Sequence, residues 1–426
     1  MRAYNPTFGV RSYVIIHSMR NIKSLKLAVE RQIANPPGEV SIIELVDLFV
    51  EYAYSSRASD IHIEPGDDKV VVRLRIDGIL QDIFTLPKEL QSEVISRIKV
   101  LSGLKTDIHH VPQDGRFKAK IGDVEEIDVR VSIAPTYSGE NAVMRILAET
   151  AQKFKLEDIG FDKKQYRMII RAIHKPYGMI LANGPTGSGK TTTLYTIIKE
   201  LSTRAVSIIT IEDPIEYSID GITQIPVNVQ AGLNFANGLR SILRQDPNII
   251  MVGEIRDTET ASIAVNAALT GHLMLSTLHT NDAATTFPRL LDMGVPPFLV
   301  ASTVNVVIAQ RLMRKVCQSC KQQKFLSIAD IEHLGPLAEV YIEKKVYTAG
   351  AGCDECDGLG YRGRVGIFEV LSVNEEIRSL IANRSSASQI KQEAVKNGMH
   401  TMTQGAFEKA IQGETTIEEV LRMIYE

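Results

Sequence analysis

Apolar side chains recur with two periods along this sequence, and each period predicts a different element. Spacing of three and four residues predicts helices at Ile42–Ala53, Glu89–Leu101, Leu194–Leu201, Ile377–Ile381 and Ile417–Ile424. Alternating or continuous apolar runs bounded by turn residues predict strands at Asp60–Glu64, Val70–Ile76, Ile79–Phe84, Arg116–Ile121, Val124–Ile133, Met179–Ala182, Val206–Ile211, Asn248–Val252 and Leu273–Leu275. The mixture predicts an α/β protein.

The order of these elements divides the chain into five predicted parts. Residues 1–38 are irregular by pattern and end in Asn-Pro-Pro-Gly, which is typical of a linker; either Met1 or Met19 can be the start. A small α/β domain follows at 39–150, with a hairpin that turns at Gly122-Asp123. The other predicted parts are a second α/β domain at 151–315, a cysteine-bearing module at 316–365 and a helical tail at 366–426.

Composition narrows the class of protein. The chain has 426 residues, of which 44% are hydrophobic and 23% charged, which is typical of a globular protein with sizeable cores. A formal net charge of -3 indicates no overall basic field for nucleic acid. The longest uncharged apolar stretch, residues 295–310, is too short and too polar to span a bilayer, and no signal peptide opens the chain. We therefore expect a cytoplasmic enzyme without direct membrane insertion.

One segment of the second α/β domain has the spacing of a phosphate-binding loop. Four residues separate Gly184 from Gly189, and Lys190 and Thr191 follow. Glycines let the backbone N–H groups turn toward phosphate oxygens, the lysine supplies a charge to the outer phosphates, and the threonine hydroxyl can bind Mg²⁺. A predicted strand precedes the loop and a predicted helix follows, so the phosphates would lie at a helix N-terminus. The residues expected to bind nucleotide are Gly184, Pro185, Thr186, Gly187, Ser188, Gly189, Lys190, Thr191 and Thr192.

Acidic residues follow two other predicted strands of this domain. Glu254 comes after the apolar run Asn248–Val252, where a Walker B element usually has aspartate, and Glu212 closes the strand that begins at Val206. Acids at the carboxyl ends of parallel strands converge on the crevice in which ligand binds. We expect Glu254 to bind Mg²⁺ together with Thr191. We expect Glu212 to position or deprotonate the attacking water, with Glu254 as the alternative.

Several segments together resemble one family of ATPases. In the second domain they are GPTGSGKTTTLY, IEDPIEY, RSILRQDP, IIMVGEIRD and GHLMLSTLHTND, and in the small domain SDIHIEP, RLRIDG, QDGR and DVRVS. They resemble the type II secretion and type IV pilus-assembly ATPases from about Val40 to near the C-terminus. The resemblance implies a RecA-like motor domain that follows a small PAS-like α/β domain. It also implies a homohexamer that hydrolyses ATP in the cytoplasm, peripheral to the inner membrane when it docks on a polytopic inner-membrane platform protein.

The resemblance also implies roles for basic residues. The small domain of that family holds the nucleotide against the motor core, and Arg116 and Arg130 match the arginines directed at the phosphates. Three further arginines are candidates for the same role: Arg73, Arg75 and Arg145. His272 and His279 flank the apolar strand Leu273–Leu275. We interpret these two histidines as residues that couple nucleotide state to movement, and not as acid–base catalysts.

The cysteines form two Cys-x-x-Cys pairs, separated by residues 321–352, and they are Cys317, Cys320, Cys353 and Cys356. Disulfides, a redox motif and a metal site are the alternatives. A reducing cytoplasm disfavours disulfides, and a redox motif would use only one pair. Four thiolates suit tetrahedral Zn²⁺ with no position left for substrate. We expect a structural zinc site, a small subdomain between the pairs, and a sharp turn in the glycine-rich segment Gly358–Gly366.

The favoured function is a motor that uses ATP, Mg²⁺ and Zn²⁺ to assemble a type IV pilus or a type II secretion pseudopilus. A retraction motor of the same superfamily is the nearest alternative, but the resemblance implies that retraction motors lack the four-cysteine insertion. A nucleic-acid translocase requires aromatic stacking positions, whereas this chain has no tryptophan and 6% aromatic residues. A nucleotide-binding scaffold without turnover is disfavoured because Lys190, Thr191, Glu212 and Glu254 are all present.

Overall fold

The chain folds into two compact units, Met1–Ala151 and Gln152–Glu426. The structure is a computed structural model that describes residues 13–16, 21–121, 125–147, 154–326 and 344–425. Within these residues each unit has its own seven-stranded sheet. The predicted α/β class is confirmed, while the predicted hairpin turn at Gly122-Asp123 lies outside the described residues.

The first unit is a mostly antiparallel sheet with helices on one face. Its strands are β1 (Tyr13–Ile16), β2 (Ala58–Pro65), β3 (Lys69–Ile76), β4 (Ile79–Pro87), β5 (Gln113–Ile121), β6 (Glu125–Thr136) and β7 (Gly139–Leu147). Its helices are α1 (Ile22–Ala34), α2 (Ile42–Ser55) and α3 (Gln91–Leu101). The strand order is β1-β5-β6-β7-β2-β3-β4, and only the β1–β5 pair is parallel. Alternate strand residues are buried against the helices, so charged side chains share the other face.

Helix α1 corrects the prediction that residues 1–38 are irregular. Asn21 caps the helix by accepting the N–H of Lys23. Leu25 and Val29, one turn apart, are fully buried in the core of the first unit. The signal was weak because only these two positions are fully buried, but the cap and the i, i+4 spacing are both readable from the sequence.

The second unit is a parallel sheet with one antiparallel strand at its edge. Its strands are β8 (Gly178–Asn183), β9 (Ile208–Glu212), β10 (Thr223–Pro226), β11 (Ile249–Val252), β12 (Leu273–Leu278), β13 (Val304–Val316) and β16 (Tyr361–Ser372), with β14 (Gln322–Phe325) and β15 (Lys345–Thr348) in a separate ribbon. Its helices are α4 (Lys163–Ile173), α5 (Lys190–Leu201), α6 (Phe235–Ile242), α7 (Thr258–Leu269), α8 (Thr286–Asp292), α9 (Pro297–Thr303), α10 (Glu375–Ala382), α11 (Ala387–Lys396), α12 (Met402–Gln412) and α13 (Ile417–Tyr425). The strand order is β10-β9-β11-β12-β8-β13-β16, and only β16 is antiparallel to its neighbour.

The two faces of this sheet bury different cores. Strand residues such as Met179 and Ile250 pack with α6, α7 and α9, whereas their neighbours Ile180 and Met251 pack with α4 and α5. Parallel strands that are covered on both faces are apolar throughout, which explains the continuous runs in the sequence. Among the helices that the structure describes, none combines the length and the apolar character required to cross a bilayer.

Strand β16 corrects the predicted course of the chain after the second cysteine pair. The sharp turn lies at Gly358–Gly360, where both glycines have positive φ angles, while Gly363, which also has a positive φ angle, lies within the strand that follows. From Tyr361 the chain is a strand that pairs with β13, because its apolar residues complete both cores of the sheet. This strand, Tyr361–Ser372, continues across the predicted boundary at residue 365. The division of the chain into five parts stays a prediction. The residues between the cysteine pairs include β14 and β15, and 327–343 lie outside the described residues.

Candidate functional site

The predicted phosphate-binding loop connects β8 to α5 at the carboxyl edge of the parallel sheet. Gly184, Gly187 and Gly189 have φ angles of +142°, +79° and +88°. A Cβ atom on Gly184 would lie 2.4 Å from the carbonyl oxygen of Gln310, and one on Gly189 would lie 2.7 Å from the Gln310 side chain. Strand β13 therefore packs so closely on the loop that only glycine fits at these two positions. Thr191 follows, half-buried in the first turn of α5.

Lys190 and Ser188 provide polar atoms that suit phosphate. The Lys190 ammonium donates to the carbonyl oxygens of Gly184 at 2.8 Å and Pro185 at 3.0 Å. Burial lowers the pKa of Lys190, and the nearby charge of Glu254 opposes that effect. Ser188 Oγ is buried without a hydrogen-bond partner among the described residues. Phosphate oxygens would satisfy both groups at the start of a helix, so these residues fit a nucleoside triphosphate.

Glu254 lies just beyond β11, and an arginine and a histidine are its neighbours. One carboxylate oxygen forms an ion pair with Arg256, and His279 Nε2 lies 3.3 Å from the other oxygen. The Glu254 side chain is 12% exposed, so it keeps access to solvent. Because β8, β11 and β12 run parallel, their carboxyl ends bring Lys190, Glu254 and His279 to one edge of the sheet. Carboxylate and hydroxyl oxygens at such an edge are suitable ligands for Mg²⁺.

Glu212, the last residue of β9, is buried and accepts hydrogen bonds from three side chains. Its side chain is 2% exposed. The Thr210 hydroxyl donates to Glu212 Oε1 at 2.5 Å, Gln224 Nε2 donates to the same oxygen at 3.2 Å, and the Tyr195 hydroxyl donates to Oε2. Burial and the charge of Glu212 raise the pKa of Tyr195, which keeps its proton for this bond. A carboxylate with three donors is fixed in place, which suits a positioning role better than proton transfer.

The two predicted coupling histidines lie at opposite ends of one strand. His272 precedes β12 and its Nδ1 lies 3.0 Å from the carbonyl oxygen of Ala267. His279 follows β12, and a six-residue strand separates the two positions. Such a strand is about 20 Å long. The structure therefore brings His279, but not His272, to the acidic residues.

The predicted arginines form a row on the charged face of the first unit. Arg116 pairs with Arg130 across β5 and β6, and Arg130 pairs with Arg145 across β6 and β7. Arg145 Nε donates to Asp60 Oδ1 at 2.9 Å, and Arg75 Nε lies 3.6 Å from Asp60 Oδ2. The row lines a cavity of about 600 Å³. Guanidinium groups in neighbouring cross-strand positions suit a polyanion such as a phosphate chain.

Arg73, the remaining candidate, lies apart from this row. Its guanidinium contacts Glu64 at 3.2 Å and Asp82 at 2.9 Å. Both partners are acidic and lie on the neighbouring strands β2 and β4, so the Arg73 charge is compensated where it stands. A guanidinium with two acidic partners is a weaker candidate for phosphate binding than Arg116, which lines the cavity.

The four cysteines meet at one point although 32 residues, 321–352, separate the two pairs. Their Sγ atoms all lie within 4.8 Å of one another. The Sγ distances are 3.6 Å for Cys317–Cys353, 3.8 Å for Cys320–Cys356 and 3.8 Å for Cys353–Cys356. A tetrahedron of Zn–S bonds of about 2.3 Å has edges of about 3.8 Å, so the four thiols fit Zn²⁺.

Backbone donors favour the thiolate form of one member of this cluster, Cys356, whereas burial and the neighbouring thiols raise the pKa of Cys320. Cys356 Sγ accepts the N–H groups of Cys353 and Gly360, each at 3.2 Å. Burial alone would raise the pKa of Cys356, but these hydrogen bonds lower it to about 7. Metal-binding thiols are thiolates, so the same bonds would stabilise a bound ion.

Sequence reasoning did not single out four residues that shape the site: Tyr195, Gln224, Arg256 and Gln310. Arg256 stands in the quoted segment IIMVGEIRD, two residues after Glu254, and could have been found by that spacing. Tyr195 and Gln224 are 17 and 12 residues from Glu212, and they meet it only through packing of α5 and β10 on β9. No local pattern marks Gln310, which lies within an apolar strand.

The loop, the parallel sheet and the acids at its carboxyl edge define a phosphate-loop nucleoside triphosphatase. More narrowly, the chain belongs to the family described as type II/IV secretion system protein, which matches residues 36–422. It is accordingly an ATP hydrolase of that family. The resemblance to this family that the sequence motifs indicated is confirmed.

Two relatives illustrate the likeness. The type IV pilus assembly ATPase PilB of Myxococcus xanthus is 43% identical over 404 residues, 92% of this chain and 69% of the relative. The type II secretion system protein E of Xanthomonas campestris pv. campestris is 46% identical over 390 residues, 90% of this chain and 68% of the relative. The similarity to the two is nearly equal, so identity alone does not separate pilus assembly from secretion.

Solved structures share the fold. The Legionella pneumophila ATPase DotB has a TM-score of 0.67 at 24% identity, and the match covers 92% of this chain and 98% of DotB. The pilus retraction motor PilT with bound ADP has a TM-score of 0.60 at 28% identity, and the match covers 88% of this chain and 95% of PilT. The fold described above is thus shared with these two solved proteins.

Proposed function

We propose that this chain is the ATPase motor, active as a homohexamer, that assembles a type IV pilus or a type II secretion pseudopilus by acting on an inner-membrane platform protein. One observation carries the proposal: a phosphate-binding loop, two strand-end glutamates and a four-cysteine cluster occur in a single chain. The first two features supply ATP hydrolysis. The third favours assembly over retraction, since the resemblance implies that retraction motors lack it.

In the proposed mechanism the phosphate chain of ATP lies on the loop Gly184–Gly189, where the Lys190 ammonium leaves its backbone partners for the outer phosphates. Bound Mg²⁺, held by Thr191 and Glu254, would neutralise charge that develops on the transferred phosphoryl group. Glu212 positions the attacking water through its fixed carboxylate. His279 lies 3.3 Å from Glu254, so its position would change when Glu254 binds the metal ion.

The arginine row adds positive charge in the transition state. We propose that Arg116 and Arg130 contact the phosphates during turnover and that Arg75 and Arg145 support the row through Asp60. Guanidinium groups stabilise a transferring phosphoryl group by bidentate hydrogen bonds that lysine cannot form.

The four-cysteine cluster is proposed to hold Zn²⁺ as a structural ion. With four sulfur ligands, no coordination position is left for water or substrate. The cluster lies beside the β14–β15 ribbon, so a bound ion would stiffen this module for contact with the platform protein.

Substitution of Lys190 tests the proposed function. Lys190→Ala should reduce Mg²⁺-dependent phosphate release by the purified chain at least about 100-fold, because the positive charge that binds the outer phosphates is lost. In cells of the source organism, the same substitution should abolish fibre assembly or secretion. Cells that instead make long fibres that never retract would identify a retraction motor, and wild-type protein without phosphate release would refute an ATPase motor altogether.

A further inference from the structure

A cluster of charged side chains lies between the His279 loop and the C-terminal helices. We use the term His279 loop for residues 279–285, which connect β12 to α8. The cluster consists of Asp282 in this loop, Glu369 on β16 and Lys391 on α11. Glu369 and Lys391 are 87 and 109 residues after Asp282 in the sequence. None of them belongs to the nucleotide site described above.

Glu369 is the centre of the cluster. Its side chain is fully buried. Oε1 accepts the N–H of Ala283 in the His279 loop at 3.0 Å, and Oε2 accepts the N–H of Met402, the first residue of α12, at 3.2 Å. Lys391 Nζ lies 3.9 Å from Oε2. One carboxylate therefore contacts the loop, the start of one C-terminal helix and a lysine of another.

Asp282 closes the cluster from the loop side. Lys391 Nζ donates to Asp282 Oδ2 at 2.9 Å, while Asp282 Oδ1 accepts the N–H of Thr285 at 2.9 Å. Burial raises the pKa of Glu369, and the charge of Lys391 opposes that effect. Burial also disfavours the charge on Lys391, but Glu369 and Asp282 outweigh it and raise the lysine pKa. The lysine charge thus offsets the charges of the buried Glu369 and the partly exposed Asp282.

The two ends of the His279 loop reach the nucleotide site. His279 at its start lies 3.3 Å from Glu254. Directly after the loop, the Thr286 hydroxyl is hydrogen-bonded by the Asn183 side chain at the end of β8, one residue before the phosphate-binding loop. The middle of the loop is held by the cluster. A movement of the loop backbone would therefore strain the contacts of the cluster with α11 and α12.

We infer that Asp282, Glu369 and Lys391 form a positioning cluster that sets His279 against Glu254 and links turnover at the nucleotide site to the C-terminal helices. The inference rests on the proposed function of that site. These residues act through His279 and do not touch the reacting atoms. An apolar contact could hold the loop by packing alone, whereas hydrogen bonds from Ala283 and Met402 to one carboxylate hold it in a single register.

Lys391→Met in the purified full chain tests this inference. The methionine keeps the apolar stem of the side chain but leaves two acids without their counter-charge. We expect kcat for ATP to fall about 2- to 30-fold, while KM changes less than about twofold, because phosphate binding is untouched. Lys391→Arg should restore most of kcat, since a guanidinium can serve both acids. The matched control is Lys396→Met on the same helix, whose side chain is 77% exposed.

A double-substitution cycle separates positioning from mere stability. In a His279→Ala background, Lys391→Met should have little further effect on kcat, because the group that it positions is gone. Strictly additive effects, or unchanged kcat in both Lys391→Met and Glu369→Gln, would overturn the inference. If Glu369→Gln does not fold by circular dichroism, the two Lys391 variants decide alone. Wild-type protein that hydrolyses ATP while neither Lys391→Met nor Glu369→Gln changes kcat refutes only this inference and leaves the proposed function standing.

Discussion

Two glutamates at the ends of neighbouring strands have different surroundings, although both follow apolar runs in the sequence. Glu212 is 2% exposed and accepts hydrogen bonds from three side chains. Glu254 is 12% exposed and is paired with Arg256. A carboxylate with an exposed ion-pair partner can exchange that partner for a metal ion at little cost, whereas Glu212 would have to break three buried hydrogen bonds.

Glutamine substitutions should therefore separate the two residues. Glu254→Gln should lower kcat about 100-fold or more, and Glu212→Gln should lower it about tenfold, because an amide keeps one acceptor oxygen for the donors around Glu212. ATP affinity should remain nearly unchanged in both variants. The measurements are steady-state hydrolysis and equilibrium binding of a fluorescent ATP analogue.

Glu376→Gln is a suitable control for these variants, because this exposed glutamate lies on α10 at a distance in sequence from the phosphate loop. It should hydrolyse ATP at the wild-type rate. Wild-type rates for both Glu212→Gln and Glu254→Gln would show that the roles proposed for the two acids are wrong.

At the scale of elements, the four-cysteine cluster joins two segments that are also linked by hydrogen bonds from Ser319 to Glu355 and from the Cys317 N–H to the carbonyl oxygen of Gly360. Cys317 and Cys320 follow β13, and Cys353 and Cys356 precede β16. Because β13 and β16 pair along their length, a metal ion at this end would also secure the edge of the parallel sheet.

Cys320→Ser should abolish stoichiometric zinc binding, since a hydroxyl is a poor fourth ligand for a tetrahedral thiolate site. Elemental analysis of the purified wild-type chain should find close to one zinc per chain. Ser319→Ala, which changes the neighbouring residue, should retain the metal. A wild-type chain that contains no metal and four freely titrating thiols would contradict the zinc proposal.

Asp47 on α2 faces α3, and the burial of its carboxylate makes the stability of the first unit depend on pH. Burial raises the pKa of Asp47 from 3.8 to about 6, and Arg97 on α3, 3.7 Å away, offsets it only in part. Because the folded-state pKa is raised, the unfolded chain ionises first. The folded state therefore loses stability as pH rises from about 4 to about 6, and the loss is constant above that range.

Asp47→Asn should remove this loss. At pH 8 the variant should be more stable than the wild type by about 1 kcal/mol, a value reduced for solvent screening because Asp47 is half-buried. Near pH 4 the two proteins should differ little. Urea unfolding followed by circular dichroism at both pH values checks this, with the exposed Asp68→Asn as the control. An equal difference at both pH values would contradict the assignment.

At the scale of the whole molecule, the proposed motor needs several copies of the chain. Nucleotide should promote association, so sedimentation with a non-hydrolysable ATP analogue should show a hexamer. Hydrolysis per chain should fall when the protein is diluted below the dissociation constant of the oligomer. Full activity in a demonstrably monomeric sample would remove the ring from the mechanism.

Arg116→Ala should lower kcat more than it lowers ATP affinity, as expected of a charge used mainly in the transition state. Arg73→Ala is the matched control, since its guanidinium is already compensated by Glu64 and Asp82. Equal losses of affinity and turnover in Arg116→Ala would instead assign this arginine to ground-state binding.

The sequence by itself determined the features that depend on residues close together in the chain. The glycine, lysine and threonine spacing of the phosphate-binding loop, the apolar strands of the parallel sheet and the two cysteine pairs are all local patterns. Parallel strands with acids at their carboxyl ends also placed Glu212 and Glu254 at one edge. Such inferences succeed because strand direction and loop geometry follow from a few consecutive side chains.

Only the tertiary structure decided which long-range partners these residues meet. It placed Tyr195 and Gln224 around Glu212, separated His272 from His279, and assigned β16 to the sheet. It also brought Asp282, Glu369 and Lys391 together from three distant segments. The physical reason is that burial and ion pairing depend on how elements pack, and packing is a property of many side chains at once that no short stretch of sequence contains.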